Sequence, residues 1–137
     1  MIEVKDILNM AGQQGACSRS EKATGWKSLV WLFFSPQGRE FCKEKHFPSI
    51  ELFRQIKPNV APYGVHIEEN VQLINEDAAV IAGHADLTYH GPAKVYKVII
   101  MHGGNVRIKV GNYAVVRVEN MGGTYEFIND GTGKILV

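Results

Sequence analysis

Apolar and polar positions alternate in short runs over the C-terminal half of the chain, and nearly every run closes on glycine or asparagine. The runs are Ala79–Gly83, Ala85–Gly91, Lys94–Gly104, Asn105–Asn112, Tyr113–Asn120, Thr124–Asn129 and Lys134–Val137. Alternation is cleanest in Val106-Arg107-Ile108-Lys109-Val110 and Val116-Arg117-Val118-Glu119. Such period-two patterning predicts half-buried strands with the valines and isoleucines inward. Val65-His66-Ile67-Glu68 and Val71-Gln72-Leu73 extend the series upstream. One inward residue per strand, Val80, Leu87, Val98, Ile108, Val116, Tyr125 and Ile135, recurs at a near-even interval. That interval suits a β-solenoid, an antiparallel meander or a small barrel. The strands are short, and small residues (Ala79, Ala82, Ala85, Ala93, Ala114) recur beside the corners, as a narrow coil interior wants. A solenoid-like half is therefore expected. The meander, with hairpins at Gly103-Gly104, Gly122-Gly123 and Asp130-Gly131, and the barrel remain alternatives.

The N-terminal half has helical periodicity instead. Val4, Ile7, Leu8 and Ala11 fall on one helical face, and Gly12 supplies a stop. Gly12–Ala23 reads as a loop. Trp26–Phe34 is apolar on nearly every side and ends at Ser35-Pro36, because the residue before proline avoids the helical region. A short buried helix and a buried strand both fit this run; helix is preferred, because Trp26, Leu29, Val30 and Phe33 align at helical spacing. Ser35 and Pro36 then start another helix to His46, with Phe41 and Cys42 inward and Arg39, Glu40, Lys43, Glu44 and Lys45 mostly outward. Ser49 caps a fourth helix, Ile50–Ile56, which Lys57-Pro58 ends.

Composition changes at Tyr63. Four of the five prolines, both tryptophans and five of the six phenylalanines precede it, while ten of the fourteen glycines follow. The expected fold class is α+β: a helical subdomain, 1–63, packed on a β-rich subdomain, 64–137, the two forming one cooperative domain. With 137 residues the chain suits a single domain.

Charge and cysteines narrow the function classes. Fifteen basic and fourteen acidic residues leave a net charge of +1, so no strong field draws nucleic acid or an acidic membrane. The first residues are charged and no apolar run approaches the ~20 residues of a membrane span, so a cytoplasmic protein without a membrane partner is expected. Cys17 and Cys42 are expected as free thiols, with no disulfide framework.

Candidate chemistry is sparse. His84, His90 and His102 each fall near glycine at a corner, and stacked corners would bring them together as metal ligands. No Cys-x-x-Cys or His-Glu-x-x-His spacing supports them, and exposed turn histidines are the commoner case. Cys42 and His46 share a helical face, as a thiolate–imidazole pair would, yet a buried apolar cysteine is the usual state of a free thiol. Gly131-Thr132-Gly133-Lys134 is glycine-rich but lacks the P-loop spacing and its following helix. Glu68, Glu69, Glu76 and Asp77 form a loose acidic cluster of a kind usually solvated. Trp26, Trp31, Phe33 and Phe34 are expected in the core rather than on a binding platform. Arg107, Lys109 and Arg117 on one sheet face would grip a single strand of nucleic acid, against which the overall charge balance argues. No catalytic residue and no cofactor is assigned.

The run Ser35-Pro36, Glu40-Phe41-Cys42, Phe47-Pro48-Ser49 and Tyr63-Gly64-Val65, followed by glycine- and alanine-punctuated strands, resembles a group of small uncharacterised proteins encoded by gut anaerobic bacteria and their prophages. The resemblance runs from about Trp26 to Val137. It implies a helical part followed by a β-solenoid-like part, and no activity. The expected function is accordingly non-enzymatic: a structural or protein-interaction protein of phage or mobile-element origin that binds a protein partner or itself. The alternative is a small metal- or ligand-binding barrel, or an enzyme, with His84, His90 or His102 at a pocket mouth.

Overall fold

The structure is a computed structural model that describes residues 3–13 and 25–137. Its fold class is α+β, with helices preceding a β-rich part. The chain divides into two compact units, Met1–Tyr63 and Gly64–Val137.

Among the described residues the first unit holds four helices: α1 (Val4–Gln13), α2 (Trp26–Phe34), α3 (Pro36–Lys45) and α4 (Ile50–Val60), followed by a 3-10 turn, Ala61–Tyr63. Their starts follow capping chemistry. Ser35 Oγ accepts the Gly38 N–H at 3.1 Å, and Ser49 Oγ accepts the Leu52 N–H at 3.2 Å, satisfying donors that the first helical turn leaves without partners. Three details depart from expectation. α1 continues through Gly12 to Gln13. α4 continues through Pro58 to Val60. In a last turn, proline removes one main-chain bond only, and Val60 extends the buried face of Leu52, Phe53 and Ile56. Arg39 is buried rather than outward, because it lies three residues before Cys42 and shares its face. Cys17 and most of the expected loop at 12–23 lie outside the described residues.

The second unit is a two-sheet parallel solenoid of nine strands: β1 (Val65–Ile67), β2 (Asn70–Ile74), β3 (Ala78–Ile81), β4 (His84–His90), β5 (Val95–Met101), β6 (Asn105–Gly111), β7 (Val115–Met121), β8 (Thr124–Asn129) and β9 (Lys134–Leu136). Strands alternate between a five-stranded sheet, β1-β3-β5-β7-β9, and a four-stranded one, β2-β4-β6-β8. Every pairing is parallel. A meander would pair neighbours in sequence antiparallel, so it is excluded, and two open sheets do not make a closed barrel. The first coil is short, Val65 to its partner Ala79, and later coils are longer, Val95 to Val115.

Between the sheets lies one apolar core, which includes Val80, Leu87, Tyr89, Val98, Ile100, Ile108, Val116 and Val118. β3 is buried at all four positions, which explains why Ala78-Ala79-Val80-Ile81 reads as continuous apolar sequence rather than alternation. Tyr89 and Tyr96 stack with centroids 4.8 Å apart, and the Tyr89 hydroxyl donates to the Glu76 carbonyl at 2.7 Å, so its polar tip is satisfied inside the fold.

Corners carry the ladder onward. Glu68, Ala82 and His102 follow aligned strand ends and adopt left-handed backbone, φ 55, 57 and 54. That conformation costs roughly 1–2 kcal/mol for a residue with a Cβ. Main-chain bonds between coils offset it: Glu68 N–H to Ile81 O at 2.8 Å and Ala82 N–H to Met101 O at 3.0 Å. The residues just before β4, β6 and β8 are Gly83, Gly104 and Gly123. A Cβ on Gly104 would lie 2.6 Å from the Val80 carbonyl oxygen, and one on Gly123 would strike the Gly104 carbonyl. These glycines are required by the close approach of one coil's backbone to the next.

Gly104→Ala is expected to lower stability by about 1–3 kcal/mol, because the added methyl overpacks against rigid backbone. Gly12→Ala, in a helix with open space around it, is expected to be neutral or to stabilise by up to about 1 kcal/mol. Denaturant unfolding followed by circular dichroism checks both, and equal effects would refute the corner argument.

Candidate interaction surface

The polar groups near the corners hold the coils together, and this decides what is left for chemistry. Asn129 Oδ1 accepts the N–H groups of Gly131 at 2.9 Å and Gly133 at 3.1 Å, and Asp130 Oδ1 accepts that of Thr132 at 2.8 Å. In a phosphate loop those donors would face the ligand. Here they are taken up internally, so Gly131-Thr132-Gly133-Lys134 is a turn before the last strand. The Thr132 hydroxyl, 2.6 Å from Asp130 Oδ1, is the main cause that holds the Asp130 carboxyl below its usual range. The Asp77 carboxylate accepts the Lys97 N–H at 2.9 Å and the Lys94 ammonium at 3.1 Å, tying one coil to the next. Asn120 Oδ1 accepts the N–H groups of Gly122 and Gly123.

The sequence-predicted candidates disperse. His84 and His90 stand at opposite ends of β4, roughly 20 Å apart at about 3.3 Å per residue. His102 lies in the corner after β5, toward the His84 end. His84 Nε2 lies 3.5 Å from Asp86 Oδ1. Among the described residues no three His, Cys, Asp or Glu side chains are grouped to hold a metal ion. Cys42 is buried, and burial pushes its thiol up to about 12, a thiol rather than the thiolate a nucleophile needs. Arg107 and Lys109 are on β6 but Arg117 is on β7, in the other sheet, so the three do not share a face. Arg107 Nε donates to Glu126 at 3.0 Å. Beside them a shallow depression of about 410 Å³ is lined by Gln72, Asp86, Thr88, Arg107 and Lys109 among others, more polar and open than a small-molecule pocket usually is. Trp31 is 71% exposed on α2, against the expectation of a core aromatic. The Phe33 side chain lies outside the described ones.

What stands out instead is the last coil. β8 is an edge strand, paired on one side by β6 alone. Five of its six residues are exposed. Tyr125 is 37% and Ile128 54% exposed, and Phe127 is only partly buried against the core. Tyr125 and Phe127 pack on one another with centroids 4.8 Å apart. Thr124 N–H bonds Gly104 O and Asp130 N–H bonds Val110 O, so even-numbered residues point their main-chain groups inward. By alternation, Tyr125, Phe127 and Asn129 turn theirs outward. β8 has no proline and no bulge, the usual devices that blunt an edge.

No protein-family model, curated protein or solved structure matches the chain. The surface is therefore read from its own chemistry: an edge with outward main-chain groups, two exposed apolar side chains, Tyr125 and Ile128, and one charged side chain, Glu126, already held by Arg107. Thr124–Asn129 was visible as a strand, but no pattern of side chains says which strand ends a sheet. No helix among the described residues is long and apolar enough to cross a membrane.

Cys42, in a Cys17→Ser background, is expected to resist a thiol reagent at neutral pH and to react at the rate of unfolding; immediate labelling of native protein would contradict its burial. Tyr89 is held above the usual tyrosine range, first by burial and then by the nearby Asp77 and Glu76 charges. Its protonated form favours the fold, so its contribution is complete below about pH 10 and declines as pH rises past the unfolded tyrosine's range. Tyr89→Phe should flatten that alkaline loss in a pH series of melting curves.

Proposed function

We propose that this is a non-enzymatic structural or protein-interaction protein, acting in the cytoplasm, that docks through β8, an edge strand of its solenoid. The observation that carries the reading is β8: five of six residues exposed, paired on one side only, with Tyr125 and Ile128 among its exposed apolar side chains. Edges of this kind template pairing with another chain, where main-chain hydrogen bonds provide affinity and the alternate side chains provide selectivity. Stacked coils also leave their end surfaces as natural docking sites. The dispersal of His84, His90 and His102, the buried thiol of Cys42 and the internal use of Asp77, Asn129 and Asp130 support the non-enzymatic side of the reading. The near-balanced charge and the split of Arg107 and Lys109 from Arg117 support a protein partner over nucleic acid. Derivation from a phage or mobile element rests on the resemblance to prophage-encoded proteins.

A photo-cross-linking residue in place of Tyr125, in cells expressing the protein, is expected to yield a discrete covalent adduct with a protein, either another copy or a different chain. The same residue at Asn112, in a corner between coils, should not. An adduct pattern identical at both positions, or none at either, would sink the reading.

A further inference from the structure

The two ends of the solenoid are not equivalent, and their difference selects the partner. In β4, β6 and β8 the residue before the strand is glycine, and a Cβ there points back into the preceding coil: one on Gly83 would meet the Glu69 backbone, and one on Gly123 the Gly104 backbone. In the first coil the same position, before β2, is Glu69. Its Cβ therefore points off the first-coil end, into the space that another coil would need. Glu68, exposed, stands beside it. Head-to-tail stacking of β8 on the β2 of a second molecule would press Glu69 against the Gly123 backbone, so that mode is blocked. The last-coil end carries Gly123 and no such obstacle.

We infer that the last coil pairs with the last coil of a second copy, β8 against β8, antiparallel about a twofold axis through Phe127. This deepens the proposed docking function and rests on it. The outward main-chain groups of Tyr125, Phe127 and Asn129 fit the geometry: Phe127 bonds its twin, and Tyr125 bonds Asn129 in both directions, as hydrogen-bonded pairs of an antiparallel ladder. Charge selects the register. An axis through Glu126 sets Glu126 against Glu126, and one through Ile128 sets Glu126 against Asp130; like charges directly opposite disfavour both. The axis through Phe127 sets Glu126 against Ile128 and Thr124 against Asp130, with no like pair. An axis through Tyr125 also avoids like pairs but shortens the overlap and sets Phe127 against Gly123. An isologous contact of this kind closes at two subunits. The edge is short and the interface small, so the dimer is weak and concentration-dependent.

Light scattering on the intact chain over a wide concentration range tests it, with two substitutions of exposed Ile128. The mass is expected to rise from 15.2 kDa toward a dimer and no further. Ile128→Glu places two like pairs across the axis and should move the midpoint to about tenfold higher concentration, whereas Ile128→Lys places Lys against Glu126 and should move it lower. Opposite shifts from one site exclude a mere folding defect. A monomer throughout, a polymer, or a dimer indifferent to both substitutions overturns the twofold pairing. If the monomer is found while the cross-linker at Tyr125 still captures a different protein, the self-pairing fails and the docking reading stands.

Discussion

The second unit depends on a ladder of main-chain hydrogen bonds that continues past several of its strand ends. Strand pairing supplies most of it, but the bonds at Glu68, Ala82, Asn105 and Thr124 carry it around the corners. A parallel solenoid needs this. Each strand is three to seven residues long, too short to hold register alone, and its side-chain core is thin. Left-handed backbone at the corners is disfavoured for Glu68 and Ala82, and it persists because those bonds bind each corner to the next coil. The glycines before β4, β6 and β8 follow from the same constraint, since any side chain there would part the coils.

The ladder also explains where the polar side chains went. Asp77, Asn120, Asn129 and Asp130 each accept main-chain N–H groups that a corner would otherwise expose unpaired. Residues of these types beside glycine look like binding chemistry when read along the chain. In the fold they are turn fasteners, and their acceptors are engaged. Tyr89 plays the same part inside, with its hydroxyl on the Glu76 carbonyl.

The α+β class, the helices and all nine strands were legible, because apolar periodicity differs between the halves and because Ser35 and Ser49 are explicit starts. Strand direction was not. Val106–Val110 alternates identically in a meander and a solenoid, and Gly103-Gly104 serves a hairpin or a corner equally well. Pro58 misled, since a proline stop rule ignores that Val60 completes a buried face. Arg39 and Trp31 misled in opposite senses: residue type is a weak guide to exposure when a helix has few apolar residues to bury, or more than its buried face takes. The candidate surface was hidden for a different reason. Being an edge is a property of sheet order, and sheet order follows from pairings between residues about twenty apart.

An edge strand is ordinarily a hazard, and the two ends of this solenoid treat it differently. At the first-coil end Glu69 stands where the repeat otherwise demands glycine. That is a residue chosen against stacking, since within the repeat the same side chain would force the coils apart. At the last-coil end the repeat keeps its glycine, Gly123, and β8 keeps exposed apolar side chains beside a single, already paired, charge. The two ends thus differ in what stands before the edge strand: Glu69 before β2 and Gly123 before β8. In the proposed pairing Glu126 and Asp130 disfavour the other long registers, so charge on and beside β8 would set how that edge is covered.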